Sequence, residues 1–417
     1  MKDKNIIGIN GSFLRKPATG MGQVSWHFIK TMIGKTPGFL PNTKCIIYLE
    51  EELPEKFEGK DFPKNIEFKV IDGWYKRDDL IRKILWERIW LPKQVKKDKC
   101  GKFFSPYQSA TILPEKVKHL MFVHDIIPNI FPEYLNNWRK KIYYRLVDKA
   151  VKKASEITTN SHFSQKEIAR VYGIKRGEIK VAYLACDPIF QKQLSDEERT
   201  RSLQRYGLKL SDKFILYEGG LDIRKNVSRI IKAYGKLIAD FGGLSAGEVG
   251  LPVSEAGKTS EKLPKLVIVG KFNKHLVPLV TDIKKESNEV VAKYGLDREM
   301  IKMVGFVEQE DLPALFQSAE VFLYPSLYEG FGMPVLEAMT SRTLVVTSNV
   351  SSIPEVISQE AGCLINNPES ADEIKEVLKK ALTDSLENRE QKISLAYQES
   401  QKFSWKKFTN EVLGELS

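Results

Sequence analysis

Short continuous apolar runs alternate along this chain with longer stretches in which apolar residues recur every three or four positions. The first apolar run, residues 5–10, predicts a β-strand, and the amphipathic stretch at 23–36 predicts a helix. Strand-like runs follow at 45–49, 67–71, 120–124 and 156–159, and a second series occupies 214–217, 266–269, 301–304, 321–324 and 344–347. The pattern therefore predicts two successive sets of alternating strands and helices.

Strand–helix alternation of this kind is typical of parallel sheets covered by helices on both faces. We predict an α/β protein with two Rossmann-like, doubly wound domains that face a cleft. The predicted domains span 1–190 and 191–400, and a closing helix at 401–417 is expected to pack back on the first. Residues 242–264 are rich in Gly, Ser and Glu and lack periodicity, which predicts a mobile surface insertion.

The cysteine spacing, the length of the apolar runs and the acidic motifs limit the classes of protein to which this chain can belong. The four cysteines are scattered without metal-ligand spacing, and no apolar run approaches the ~20 residues of a membrane-spanning helix. Residues 1–20 show no signal-peptide pattern, so a cytoplasmic location is expected. No Asp-x-Asp sequence occurs, so neither a metal nor another cofactor is expected.

Charge is distributed unevenly between the two halves. Residues 1–190 hold 35 Lys/Arg against 21 Asp/Glu, or +14, and the remainder holds 30 against 33, or −3. The segment 138–154 adds a basic amphipathic helix. An anionic partner, including the cytoplasmic face of a membrane, would explain the bias; solubility alone would also explain it.

Two motifs of the second half indicate chemistry. Arg224 and Lys225 follow a predicted strand and precede a helix, an arrangement that suits a diphosphate without a metal, although a solvated charge pair is the alternative. Glu329 and Glu337 flank a Gly-Phe-Gly-Met-Pro turn that leads from a strand into a helix. Carboxylates and free backbone N–H groups in this arrangement suit a polyhydroxylated ligand.

The first half offers weaker signals at the ends of predicted strands. His124 and Asp125 follow one strand and Asn160 and Ser161 follow another, where ligands of parallel sheets bind. A structural histidine and a helix-capping serine are the ordinary alternatives. The glycine turn at 20–22 lacks the Gly-x-Gly-x-x-Gly fingerprint, so a dehydrogenase is disfavoured.

Taken together, the motifs resemble the retaining GT-B glycosyltransferases of family GT4. The resemblance covers almost the whole chain in order and is most specific in the Glu-x7-Glu pair. Two strings, at 104–106 and 128–133, resemble bacterial polysaccharide mannosyl- and glucosyltransferases. The matching residues are Gly20-Met21-Gly22, His124-Asp125, Thr159-Asn160-Ser161, Arg224-Lys225-Asn226, Glu329, Glu337 and Phe403-Ser404-Trp405.

This resemblance implies transfer of a hexose from GDP-mannose or a UDP-hexose to a glycan or lipid-linked acceptor, with retention of anomeric configuration. Arg224 and Lys225 would neutralise the diphosphate, and Glu337 would hold the ribose. His124 and Glu329 would contact the donor sugar near the reaction centre. The other implied donor contacts are Gly20, Gly22, Phe306, Val307, Phe331, Gly332 and Met333, and the acceptor-side candidates are Asp125, Asn160 and Ser161.

Two alternatives stay open at this stage. A sugar-nucleotide epimerase of the same fold would need no acceptor and would convert the donor alone. A non-catalytic protein that binds polyanions or membranes would retain binding after Glu337→Ala and Lys225→Ala, and no nucleic-acid partner is expected.

Overall fold

The computed structural model describes residues 6–16, 19–39, 43–52, 62–71, 73, 77–241, 264–271 and 279–416. The chain divides into two units, one ending at Ala185 and resuming at Phe403, the other spanning Cys186–Lys402. The division thus falls slightly before the position 190 expected from sequence. Most of the predicted insertion at 242–264 lies outside the described residues.

The first unit is built on a seven-stranded sheet in the order β3-β2-β1-β4-β5-β6-β7, with every neighbouring pair parallel. Its strands are β1 Ile6–Asn10, β2 Lys44–Leu49, β3 Ile66–Val70, β4 Lys102–Ser105, β5 Lys118–Phe122, β6 Glu156–Thr159 and β7 Ile179–Val181. Its helices are α1 Gly20–Phe39, α2 Asp79–Leu85, α3 Leu91–Lys97, α4 Ile127–Ile130, α5 Trp138–Val151 and α6 His162–Tyr172, with a π-helical turn at Trp86–Trp90.

A six-stranded parallel sheet in the order β10-β9-β8-β11-β12-β13 forms the second unit. Its strands are β8 Phe214–Glu218, β9 Lys265–Val269, β10 Ile301–Gly305, β11 Val321–Tyr324, β12 Val345–Ser348 and β13 Cys363–Ile365. Its helices are α7 Asp196–Arg205, α8 Val227–Phe241, α9 Ile283–Tyr294, α10 Leu312–Ser318, α11 Met333–Thr340, α12 Ile353–Val356, α13 Ala371–Thr383 and α14 Leu386–Ser400.

The last helix, α15 Trp405–Glu415, belongs to the first unit. Its Phe408 is fully buried, with ring centroids 6.2 Å from Phe28 and 5.3 Å from Phe122. Trp405 stacks on His27 at 4.7 Å. Burial of these aromatic side chains holds the C-terminal segment on the first sheet's helix layer.

Both sheets confirm the predicted fold class, two doubly wound parallel-sheet domains. In each sheet the strand order reverses at one point, between β1 and β4 in the first and between β8 and β11 in the second. Ligands of such sheets bind beyond the carboxyl ends of the strands at this reversal. The topology therefore singles out two places for functional residues.

Candidate active site

The second sheet brings the two strongest motifs together at its reversal point. β8 ends at Glu218 and leads into the Arg224–Lys225 segment, and β11 ends at Tyr324 just before Glu329. Because β8 and β11 are hydrogen-bonded neighbours, the two loops leave the sheet side by side. Residues about a hundred positions apart in sequence thus share one site.

Glu329 lies at the centre of this site and is almost fully buried. Its Oε1 accepts hydrogen bonds from Lys225 Nζ at 2.7 Å, Tyr324 Oη at 2.9 Å and Ser326 Oγ at 2.5 Å. Its Oε2 accepts one from Arg224 Nη1 at 3.2 Å. The carboxylate is therefore fixed, and only Oε2 retains room for a further donor.

Both cations of the motif are turned towards buried acids. Arg224 Nε lies 3.1 Å from Asp222 Oδ1, and Arg224 Nη1 also donates to Tyr328 O at 3.2 Å. Lys225 donates hydrogen bonds to the hydroxyl of Tyr324 and to Glu329, and its Nζ lies 5.0 Å from the centre of the Tyr324 ring. Neither cation is a solvated surface charge, so that alternative is excluded.

Charge and burial compete at this cluster. Burial raises the pKa of Glu329, but the charges of Lys225 and Arg224 outweigh it and lower that pKa to about 2. Burial and the neighbouring guanidinium of Arg224 lower the pKa of Lys225, against the opposing effect of Glu329. Glu329 is consequently ionised at neutral pH and is a weak proton acceptor.

Asn226 fixes the geometry of the cation loop. It adopts left-handed backbone conformation (φ 65°) between a short helical turn and α8. Its Nδ2 donates to Pro325 O at 2.9 Å and to Pro368 O at 2.6 Å. Asparagine tolerates this conformation better than most residues, which explains its place after the two cations.

Glu337 occupies a different part of the site, half-buried in α11. Burial raises its pKa well above the usual range, and the carboxylates of Glu218 and Asp187 act in the same direction. Burial also raises the pKa of Glu218 to about 7, despite the nearby Lys225. Acids that keep a proton near neutral pH can donate as well as accept hydrogen bonds.

The glycine turn between the two glutamates has a steric origin. Gly332 has φ 111° at the N-terminus of α11, and an added Cβ would lie 2.7 Å from Ile353 Cδ1. Phe331 is buried, and its carbonyl accepts a hydrogen bond from Ser352 Oγ at 2.9 Å. Met333 begins the helix, so its N–H group lies at a helix N-terminus.

The residues expected near the nucleobase follow the end of β10. Phe306 is 53% exposed, whereas Val307 is buried. An exposed aromatic ring beyond a strand end is available for stacking. The nucleobase contact itself stays a prediction.

In the first unit, His124 follows the end of β5 and is buried. Its Nε2 lies 2.9 Å from Pro106 O, and its backbone N–H donates to Gln108 Oε1 at 3.1 Å. Burial lowers its pKa, so the ring is neutral at pH 7. Asp125 accepts from Ile127 N at 3.1 Å, which shows a turn-forming role.

Asn160 and Ser161 lie at the end of the neighbouring strand β6. Ser161 is the N-cap of α6 and accepts from Ser164 N at 3.0 Å, as the ordinary alternative supposed. Asn160 is buried, and its Oδ1 has no hydrogen-bond partner among the described residues. Of the two, Asn160 has the better capacity for a ligand.

The glycine turn of the first half differs from the prediction. Gly20 is the first residue of α1 rather than part of a preceding loop. A Cβ placed on Gly20 would have no other group within 4 Å among the described residues. An added Cβ on Gly22 would lie 1.9 Å from Lys16 O. Gly22 is therefore required by contact with the protein's own backbone, and its contact with a ligand stays a prediction.

Sequence reasoning missed several members of the second-unit site. Tyr324 and Ser326 hydrogen-bond to Glu329, Asp222 pairs with Arg224, and the carboxylate of Glu218 helps to raise the pKa of Glu337. Tyr324 and Glu218 end their strands, and that position was an available signal. Across the described ranges, no group of three His, Cys, Asp or Glu side chains could hold a metal ion. No helix in the described part of the chain has both the length and the apolarity needed to cross a membrane.

Comparison with known proteins gives consistent matches. Residues 198–399 match the family model described as glycosyl transferases group 1. The chain is 30% identical over 305 residues to O-antigen chain mannosyltransferase B of Escherichia coli, covering 72% of this chain and 71% of that protein. It is 30% identical over 291 residues to the serotype-specific mannosyltransferase WbdA of Escherichia coli, covering 69% of this chain but 32% of that longer protein.

Among solved structures, an Anabaena protein, HepE, crystallised with UDP and glucose superposes with a TM-score of 0.66. Its sequence identity is 17%, and the alignment covers 99% of each chain. At this identity the similarity concerns the fold alone. It confirms the predicted GT-B fold.

Proposed function

Because this chain belongs to the group 1 glycosyl transferases, we propose that it moves a hexose from a nucleotide-diphosphate sugar to a glycan or lipid-linked acceptor. Mannosyltransferases of O-antigen synthesis are among its relatives, which favours GDP-mannose as donor and a cell-surface polysaccharide or glycolipid as product. UDP-hexoses are the second choice, since HepE was solved with UDP.

The observation that carries this proposal is the buried cluster of Arg224, Lys225 and Glu329. An ammonium has three N–H groups, and Lys225 uses two of them on Glu329 and Tyr324, so one is available for a phosphate oxygen. As the bond from C1 to the diphosphate breaks, negative charge grows on the leaving oxygen. Cations already held in place would stabilise that charge without reorganisation.

We propose retention of configuration by attack on the same face, as in family GT4. The acceptor hydroxyl forms a new bond to C1 while the bond to the diphosphate breaks, and the hydroxyl proton passes to the leaving phosphate oxygen. Glu329 is a poor nucleophile here, because its charge is stabilised by two cations and its Oε1 already accepts three hydrogen bonds. Its role is to hold the cations and, through Oε2, a sugar hydroxyl.

Replacement of Lys225 tests this assignment. Lys225→Ala removes a cation that faces the leaving group, and we expect turnover of GDP-mannose or the active donor to fall roughly 100- to 1,000-fold. Lys232→Ala, which removes an exposed lysine of α8, is the matched control and should stay within about twofold of the parent protein. Near-normal transfer by Lys225→Ala would contradict the proposed site.

Omitting the acceptor from the transfer assay distinguishes a transferase from an epimerase. Incubation of the donor without acceptor, followed by NMR of the sugar, would show an epimerised product only if the protein is an epimerase. Transfer is supported if the donor sugar stays unchanged until an acceptor is added.

We also propose an anionic membrane surface as a partner of α5. One stripe of this helix, continued by its C-cap, is exposed and carries no acid: Trp138, Lys141, Ile142, Arg145, Lys149 and the C-cap Lys152. Trp138 is 70% and Ile142 44% exposed. Aromatic and aliphatic side chains beside cations suit the interface of an anionic bilayer, and flotation with lipid vesicles measures this.

A further inference from the structure

The reversal point of the first sheet holds a second buried polar network that the donor site does not use. Asn10, at the end of β1, donates to Tyr107 Oη at 2.9 Å and accepts from Trp86 Nε1 at 3.2 Å. Ser12 Oγ lies 2.8 Å from the same Tyr107 hydroxyl. All four side chains are buried beyond the carboxyl ends of β1 and β4, where a doubly wound sheet binds its ligand.

Glu87 anchors this network from the π-helical turn. Its side chain is fully buried, and its Oε1 accepts from Tyr107 Oη at 3.1 Å. Its Oε2 accepts from Ala110 N at 2.8 Å and from Tyr143 Oη at 2.9 Å. π-Helical turns within α-helical segments occur frequently at functional sites.

Lys83 is held directly above this carboxylate. Its Nζ lies 4.0 Å from Glu87 Oε1 and 5.3, 5.4 and 4.9 Å from the ring centres of Phe13, Tyr107 and Tyr143. Three-quarters of the side chain is buried. Its ammonium makes no hydrogen bond within the described part of the chain, so its donors are available to a ligand.

A cavity of about 230 Å³ opens beside Lys83. Glu50 forms part of its wall and is 9% exposed, yet its Oε2 has no hydrogen-bond partner among the described residues. The nearest cations, Arg15 Nε at 3.6 Å and Arg82 Nε at 3.4 Å, likewise lack hydrogen bonds at these atoms. The lining residues are Ser12, Phe13, Arg15, Lys16, Glu50, Asp79, Leu80 and Lys83.

Buried polar atoms without hydrogen bonds are costly in a folded protein and often mark a place for a ligand or water. Here the carboxylate of Glu50, the ammonium of Lys83 and the guanidinium of Arg15 line one cavity, and Arg82 pairs with Glu50 from outside the lining. Both signs of charge are present, since Lys16 also lies 3.6 Å from Asp79. Glu50 is paired with Arg15 and Arg82, and Asp79 with Lys16 and Arg82. A phosphate or carboxylate would have to compete with these acids for the cations, whereas a hydroxyl group both donates and accepts.

We infer that this cavity binds a neutral sugar ring of the acceptor, with Glu50 and Lys83 on its hydroxyl groups and Phe13 against its apolar face. The inference rests on the proposed function, because it assigns the saccharide acceptor to a specific part of the first unit. Glu87 acts through Lys83 and is a positioning residue.

Direct binding is the first test, with methyl α-D-mannopyranoside and methyl α-D-glucopyranoside as probes in saturation-transfer NMR. We expect binding to the parent protein and a loss of affinity of about 10- to 100-fold in Glu50→Gln and Lys83→Met, the range for a hydrogen bond to a charged group. Lys97→Met, an exposed lysine at the end of α3, is the matched control and should bind normally.

The Lys83→Met substitution leaves the buried Glu87 without its cation, so thermal unfolding is used to check that this variant is folded. Glu50→Gln preserves the size and shape of the side chain and serves as the second variant. Unchanged sugar affinity in a folded Glu50→Gln protein would overturn the inference. Displacement of the sugar by inorganic phosphate, strengthened by Glu50→Gln, would also overturn it and indicate an anionic ligand.

Transfer kinetics distinguish this inference from the proposed function. If hexose transfer occurs, the cavity variants should raise the acceptor KM about 10- to 100-fold and leave donor KM unchanged. Transfer with an unaltered acceptor KM refutes the cavity assignment alone. Absence of transfer and of nucleotide-sugar binding by the parent protein refutes the proposed function, whatever the probe sugars show.

Discussion

Individual residues of the proposed donor site differ in how burial affects their charge. Glu329 is buried beside two cations and stays ionised, whereas burial raises the pKa of Glu218, and burial together with the carboxylates of Glu218 and Asp187 raises that of Glu337. Glutamate is thus ionised at neutral pH at position 329, whereas the nearby Glu218 and Glu337 can hold a proton. Glu329 accepts hydrogen bonds from both Lys225 and Arg224, whereas the charge of Lys225 only partly offsets the burial of Glu218.

The raised pKa of Glu218 predicts the direction in which the stability of the protein changes with pH. Its pKa is about 7 in the folded protein and 4.5 ordinarily, so the folded state keeps a proton that the unfolded state loses. Stability therefore falls as pH rises from about 4.5 to 7. We expect Glu218→Gln to be more stable than the parent protein above pH 7, by roughly 1–3 kcal/mol, and the two to converge near pH 4.5.

Urea unfolding at intervals between pH 4.5 and 8 measures this difference. The control is Glu310→Gln, since Glu310 is exposed in the same unit. Parallel stability profiles for Glu218→Gln and the parent protein would show that Glu218 carries no such shift.

At the scale of elements, the start of α1 makes a close contact with the backbone that precedes it. α1 begins at Gly20 and passes so near the preceding loop that Gly22 has no room for a Cβ. The family resemblance implied donor contacts at Gly20 and Gly22; the structure places both residues in the first turn of α1, and the donor contacts stay predictions. Glycine at position 22 is explained by contact with Lys16 O, whatever the ligand.

Gly22→Ala should therefore destabilise the protein by about 1–3 kcal/mol, because the backbone has to move to admit a methyl group. Gly34→Ala is the matched control in the same helix, with no other group within 4 Å of its added Cβ. It should stabilise by up to about 1 kcal/mol, since alanine favours a helix. Chemical denaturation of both variants measures the contrast; equal effects would contradict the steric explanation.

At the scale of the molecule, the two sheets have the same type of strand order, whereas the two halves of the chain differ in net charge. Each reverses its strand order once, and each has a buried polar cluster at that reversal. The excess of +14 lies in residues 1–190. α5 displays part of this excess on an exposed face together with Trp138.

Removal of cations from that face should weaken membrane binding. Each lysine or arginine near an anionic surface contributes about 1 kcal/mol, so Lys141→Gln with Arg145→Gln should reduce binding roughly 10- to 30-fold. Flotation with vesicles of phosphatidylglycerol and phosphatidylcholine at low salt measures this. Leu386→Ala, at a 74% exposed leucine of the second unit, is the control for exposed apolar area. Absence of binding, or equal binding to neutral vesicles, would argue against the membrane proposal.

The sequence by itself determined the alternation of elements, the two-domain plan, the charge bias and the local motifs. Periodicity and glycine or proline positions depend on near neighbours, so they can be read along the chain. It missed short strands such as β4, β7 and β13, whose three or four residues give too little pattern.

Only the tertiary structure decided which strands lie side by side. That order follows from packing across the whole sheet, and it placed Arg224 against Glu329 and Glu218 near Glu337. It also created the cavity of Glu50 and Lys83, two residues without a recognisable motif. Partners so distant in sequence meet through the strand order, which no local pattern encodes.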